Sequence, residues 1–126
     1  MEQRFLIDTN VVIDIFGNAM PDDVKQRVAY MRPVVSAVTY MEALGWHNIS
    51  PSQSDALKRF MDAATILPIS PSVMEETVRI RQRGRIGLGD AIIAATAMIH
   101  SLTLVTRNVS DFKSIAGLAV FNPWEK

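Results

Sequence analysis

The chain has no cysteine. That absence excludes disulfides, thiolate zinc sites and cysteine nucleophiles together, and it suits a reducing compartment. Neither sign of charge is in excess: 13 lysines and arginines balance 13 acids, for a formal net charge of zero. A protein that held nucleic acid by bulk charge would be basic, so any phosphate contact must come from a local patch or a metal. Long apolar runs are missing too. The longest, Ala91 to Ile99, contains Thr96 and is too short to span a bilayer. Met1-Glu2-Gln3-Arg4 leads into a short apolar run that contains Asp8, which is not the form of a signal peptide. The expectation is a soluble, cytoplasmic protein with no membrane contact. No repeat, low-complexity segment or linker is visible.

What is present fits one globular domain over residues 1–126, with 48% hydrophobic and 21% charged residues. Turn signals arrive at regular intervals. Phe5-Leu6-Ile7 runs without polar alternation into Asp8-Thr9-Asn10, the pattern of a strand buried on both faces that ends in an acid. Met20-Pro21-Asp22-Asp23 opens a helix carrying Val24, Val28 and Met31, with Pro33 as its stop. Val34-Val35-Ser36 reads as a buried strand, and Thr39 to His47 as a helix. Ser50-Pro51-Ser52-Gln53 is a helix start with a capping serine, a first-turn proline and a glutamine three residues after the cap. Ile66-Leu67-Pro68-Ile69 reads as a strand near an edge because of its proline. A helix from Ser70-Pro71 to about Gly84 follows, then a loop at Gly87-Leu88-Gly89. Asp90 to His100 is apolar nearly all round, so that helix should be buried. Thr103 to Thr106 and Ala119 to Phe121 are the last strands, with a turn or short helix over Asn108 to Ile115. Strands alternating with helices call for a parallel sheet with helices on both faces.

Four acids occur beside this punctuation: Asp8, Glu42, Asp90 and Asp111. Each has a structural use. Asp8 caps a following helix, Thr39-x-x-Glu42 has capping-box spacing, Asp90 suits a helix N-terminus, and Asp111 suits a turn. Together they have another. The carboxyl ends of parallel strands are where open α/β sheets build sites, and a buried acid such as one opening the apolar helix needs a partner. No lysine lies between Lys58 and Lys113. Two carboxylates about 4 Å apart repel by roughly 4 kcal/mol at an effective dielectric of about 20. A hard divalent ion such as Mg²⁺ or Mn²⁺ answers an all-carboxylate site, and that chemistry points to phosphoryl transfer.

The segments Leu6-Ile7-Asp8-Thr9-Asn10-Val11, Ser36 to Glu42, Asp90 to Ala97, Leu104 to Phe112 and the ending Ala119 to Trp124 together resemble PIN domains. Within them, the chain is similar to the VapC-type toxins of prokaryotic toxin–antitoxin pairs. The resemblance runs nearly end to end. It implies a three-layer α/β/α sandwich on a parallel sheet of four or five strands in the order 3-2-1-4-5, with the site at the switch point between the first and fourth strands. It implies an endoribonuclease that uses one or two Mg²⁺ or Mn²⁺ ions and metal-activated water, leaving a 5′-phosphate. Asp8, Glu42, Asp90 and Asp111 match the family's metal-binding acids; Asn10, Thr106 and Asn108 match polar residues of the same pocket. A small antitoxin and a homodimer are the partners it implies. Ala43-Leu44-Gly45-Trp46-His47 departs from the aliphatic-rich continuation of many relatives, so the neighbouring surface differs.

Other residues carry competing readings. Arg79, Arg81, Arg83 and Arg85 form the one basic cluster, either a path for RNA phosphates or a solvated helix end, with Arg85 the best placed for contact. His47 and His100 could run metal-free cleavage through the 2′-hydroxyl, but no spacing brings them together. An aspartyl phosphatase would want a second acid two residues after Asp8, where Asn10 stands. A non-catalytic PIN scaffold that binds protein or RNA is the alternative to the nuclease. Met31, Met41, Met61, Met74 and Met98 sit at apolar helical positions and read as core filler.

Overall fold

The computed structural model describes residues 4–17, 19–32 and 34–125. The expected helix stop at Pro33 and the segment Met1-Glu2-Gln3 lie outside them. The described residues form β1 (Phe5–Ile7), α1 (Thr9–Phe16), α2 (Asp22–Ala29), β2 (Val34–Ser36), α3 (Ala37–Leu44), α4 (Pro51–Ala63), β3 (Thr65–Leu67), α5 (Pro71–Gln82), α6 (Leu88–Ile99), β4 (Thr103–Val105), α7 (Val109–Phe112) and β5 (Val120–Phe121). None of these helices is long and apolar enough to cross a membrane.

All pairings are parallel. Leu6 lies opposite Leu104 and Ile7 opposite Val105; Val105 in turn lies opposite Phe121. A separate ladder sets Val35 opposite Ile66. The hydrogen-bonded orders are therefore β1-β4-β5 and β2-β3. β2 lies against β1, but no ladder bonds join them among the described residues. The sequence 3-2-1-4-5 is thus an order of neighbours with an unbonded seam between β2 and β1. Among the described residues β3 pairs on one side only, and Pro68 follows it directly, as an edge position predicts.

Alternation across the pleat builds two cores. Leu6, Val34 and Leu104 enter one core with Val73, Ile80, Ile93 and Phe112. Their neighbours Ile7, Val35 and Val105 enter the other with Val11, Val24, Leu57 and Met61. Successive strand residues point to opposite faces, so both faces are covered and the three-layer reading holds. Each core draws from both ladders, so apolar packing crosses the seam that hydrogen bonds do not.

Local chemistry corrects several boundaries. α2 ends at Ala29, and Met31 packs half-buried just beyond it. α3 begins at Ala37, not Thr39, because Ser36 caps it by accepting from the Thr39 amide at 3.0 Å. α6 begins at Leu88 with Gly87 as its cap, so the segment expected to be loop is already helical and Asp90 lies in the first turn. Met41 and Met74 are 58% and 51% exposed and fill no core, whereas Met61 is buried. At α4 the Ser50/Gln53 capping box is complete, and Gln53 Nε2 also donates to the Phe16 carbonyl at 2.9 Å.

Candidate active site

The register of β1 on β4 decides where the first acid sits. Ile7 pairs with Val105, so the next residues, Asp8 and Thr106, meet at the carboxyl rim of the sheet. The Asp8 amide donates to the Val105 carbonyl at 2.9 Å. Thr106, fully buried, donates its hydroxyl to Asp8 Oδ2 at 2.8 Å. Asp8 Oδ1 accepts from the Thr9 amide, also at 2.8 Å. Asp8 therefore is the cap of α1, and it is also a buried carboxylate held at both oxygens. The capping and site readings describe the same atoms.

Glu42 reaches the rim from α3, the helix that follows β2. Its Oε1 accepts from the Thr9 hydroxyl at 2.7 Å. That hydroxyl also contacts the Thr39 hydroxyl at 2.9 Å, and Thr39 is in turn bonded by Ser36. The expected Thr39/Glu42 capping box is therefore absent: Ser36 does the capping, and Glu42 turns toward α1. Its other oxygen lies over Gly89, where an added Cβ would stand 2.8 Å away. Asp90, half-buried, follows Gly89, and Asp111 is exposed in α7.

Electrostatics ties the four together. The Asp8 carboxyl is pushed up to about 6, first by burial, then by the fields of Asp90 and Glu42. The opposing influences are its bonds from Thr106 and Thr9, not cations. Burial also raises Asp90, with Asp111 and Glu42 adding to it. The acids thus share a rim and one another's field. Among the described residues, however, no three acid or histidine side chains are gathered closely enough to hold one ion as they stand. The donor chemistry nevertheless fits a hard divalent cation: oxygen ligands only, with the Asp8 charge opposed among the described residues by hydrogen bonds and not by cations.

The remaining candidates divide. Asn108 caps α7 and donates its amide to Thr106 Oγ1 at 3.1 Å, while its side chain is exposed. Asn10 is exposed on the first turn of α1, two residues past Asp8. Arg85 is exposed in the loop between α5 and α6 and lines an open depression with Arg81, Gly84, Ile86 and Gly87, apart from the acids' bonding network. Arg79 pairs with Glu76 on its own helix at 3.0 Å, which fits a solvated helix face. His47 follows α3 and His100 caps α6; both are exposed. Gly89 and the Ser36 and Thr39 hydroxyls were not legible as site residues, whereas Thr9 reads from the sequence as both starting α1 and lining the pocket. A glycine directly before Asp90 and a serine three residues before Thr39 were the available signals.

The PIN domain family model matches residues 5–118. The chain belongs to the PIN domain family. This PIN domain is 32% identical over 126 residues to Ribonuclease VapC1 of Rickettsia felis, covering 91% of this chain and 92% of that protein. A toxin–antitoxin complex from Klebsiella pneumoniae shares its fold at a TM-score of 0.78 and 35% identity, covering 96% of this chain and 98% of that one. A DNA-bound VapBC from Salmonella typhimurium matches it at a TM-score of 0.83 and 23% identity, over 97% of this chain and 99% of that one, a likeness of fold.

Proposed function

We propose that this PIN domain is a Mg²⁺- or Mn²⁺-dependent endoribonuclease and the toxin of a toxin–antitoxin pair. One observation carries the reading: a buried Asp8 at the carboxyl rim lies in the field of Asp90 and Glu42, with no compensating cation among the described residues. One or two ions held by Asp8, Glu42, Asp90 and Asp111 would supply that positive charge and the Lewis acidity for phosphodiester hydrolysis. The protein's own groups do the rest. Thr106 and the Thr9 amide fix both Asp8 oxygens. The Thr9 hydroxyl orients Glu42. Asn10 and Asn108 bind the sugar and phosphate at the rim, and Arg85 meets a neighbouring phosphate. RNA as substrate is supported by the relative named a ribonuclease. A small antitoxin as partner is supported by the likeness to a toxin–antitoxin complex. Homodimer formation and a cytoplasmic location belong to the same reading.

The test is RNA cleavage by purified protein with Mg²⁺ or Mn²⁺, with Asp8→Asn and Asp90→Asn as controls. Loss of cleavage in both folded variants is expected; full activity in either overturns the reading. A non-catalytic scaffold has one observation on its side, the absence among the described residues of three converged acids. Calorimetric titration with Mn²⁺ at neutral pH separates the two, since a scaffold binds no metal.

A further inference from the structure

We propose that Gly89 is a positioning residue for Glu42: the missing side chain at 89 is what admits the Glu42 carboxylate to the acid cluster. The consequence for metal and RNA rests on the nuclease reading; the seat itself does not.

Glu42 is exposed on α3, with a long side chain that has several rotamers to choose from. Two contacts select one. The Thr9 hydroxyl donates to Oε1 at 2.7 Å, and Oε2 occupies the space that a Cβ on Gly89, in the neighbouring α6, would enter. The carboxylate is thereby clamped between the first turns of α1 and α6, beside Asp90. A Cβ at 89 would stand 2.8 Å from Oε2, too close to coexist with it, but 3.7 Å from Glu42 Cδ and from Val38 Cγ1, ordinary contact distances. The only group an alanine displaces is the tip of a flexible side chain. Backbone conformation does not explain the glycine. Position 89 is inside a helix, where alanine is the better helix former. Gly117, by contrast, has φ of +85° and needs its glycine for that reason.

The experiment compares wild type, Gly89→Ala, Glu42→Gln and the double variant. In EDTA, Gly89→Ala melts at or above the wild-type temperature. The NMR resonance of the Glu42 carboxylate carbon, assigned by its loss in Glu42→Gln, moves in Gly89→Ala. In calorimetry with Mn²⁺, Gly89→Ala weakens binding by about 10- to 100-fold, the range for residues that orient metal ligands, and it adds little in the Glu42→Gln background. RNA cleavage by Gly89→Ala falls mainly in kcat. An unmoved Glu42 resonance overturns the seat, as does a Gly89→Ala loss that persists in full beside Glu42→Gln. If wild type binds no Mn²⁺ and cleaves no RNA, the nuclease reading fails, and the resonance arm still decides the seat. Thr9→Val attacks the clamp from its other side, leaving residue 89 untouched, and is expected to move the same resonance; no movement there also counts against the clamp.

Discussion

Asp8 is only 3% exposed, and its carboxyl is pushed from the ordinary 3.8 up to about 6. A carboxyl raised in this way binds its proton more tightly folded than unfolded. Its contribution to stability is full below about pH 4 and is lost as pH rises through about 6. Above that, ionised Asp8 costs the metal-free protein up to about 3 kcal/mol. Asp8→Asn is therefore expected to stabilise the protein in EDTA at pH 7.5 by about 1–3 kcal/mol, and to change little at pH 4. Urea unfolding at the two pH values measures this; a destabilised variant at pH 7.5 contradicts it. On the proposed nuclease reading, a residue that would hold the metal is thus one the metal-free fold would do better without. Asp14, further along α1, follows a milder version of this logic. Burial raises it, and Arg107 opposes the rise. Arg107 also covers the Trp124 ring at 4.7 Å, which ties the residue after Thr106 to the C-terminal segment.

Three helices, α3, α4 and α5, start where a serine side chain caps them. Ser36, Ser50 and Ser70 each accept from an amide three residues on; the starts at Ser50 and Ser70 are legible from the proline that follows each serine, whereas Ser36 reads as the end of a strand. Ser50 belongs to a full capping box remote from the acids. Ser50→Ala is expected to cost about 1 kcal/mol of stability and to leave RNA cleavage unchanged; thermal melts beside an activity assay check both halves. The four acids stand out by position: Asp8 ends a strand, Asp90 opens a helix, Asp111 follows the fourth strand and Glu42 lies in the helix after the second. Their arrangement was not legible. The Thr9–Glu42 bond joins residues 33 apart in the chain, and Gly89 matters only through the tip of a side chain on another helix. Capping-box spacing at Thr39 and Glu42 pointed to the wrong partner because Ser36 is a cap one turn earlier. Met41 and Met74 follow helical spacing yet face solvent, since periodicity locates a stripe without saying what covers it.

At the scale of the whole molecule, the hydrogen-bonded sheet is interrupted among the described residues and the cores are not. Leu6 and Val34 share one core and Ile7 and Val35 the other, so each core spans the β1/β2 seam. Unfolding is expected to be one cooperative transition, with coincident curves by circular dichroism and tryptophan fluorescence; two separated transitions would show the ladders to be independent units. The parallel sheet, its two covered faces and the rim that collects the acids follow from alternation, strand length and the βα rhythm of the chain. The seam does not, because nothing in three-residue strands such as Phe5–Ile7 and Val34–Ser36 says which edges will bond. What the molecule does with its rim is decided most directly by the ends it leaves on RNA. Incubation of the purified protein with RNA, in Mn²⁺ and in EDTA, followed by sequencing of the products, is expected to show cleavage only with Mn²⁺ and 5′-phosphate ends. Cleavage that persists in EDTA and leaves 2′,3′-cyclic phosphates, or no cleavage with Mn²⁺, would contradict the account.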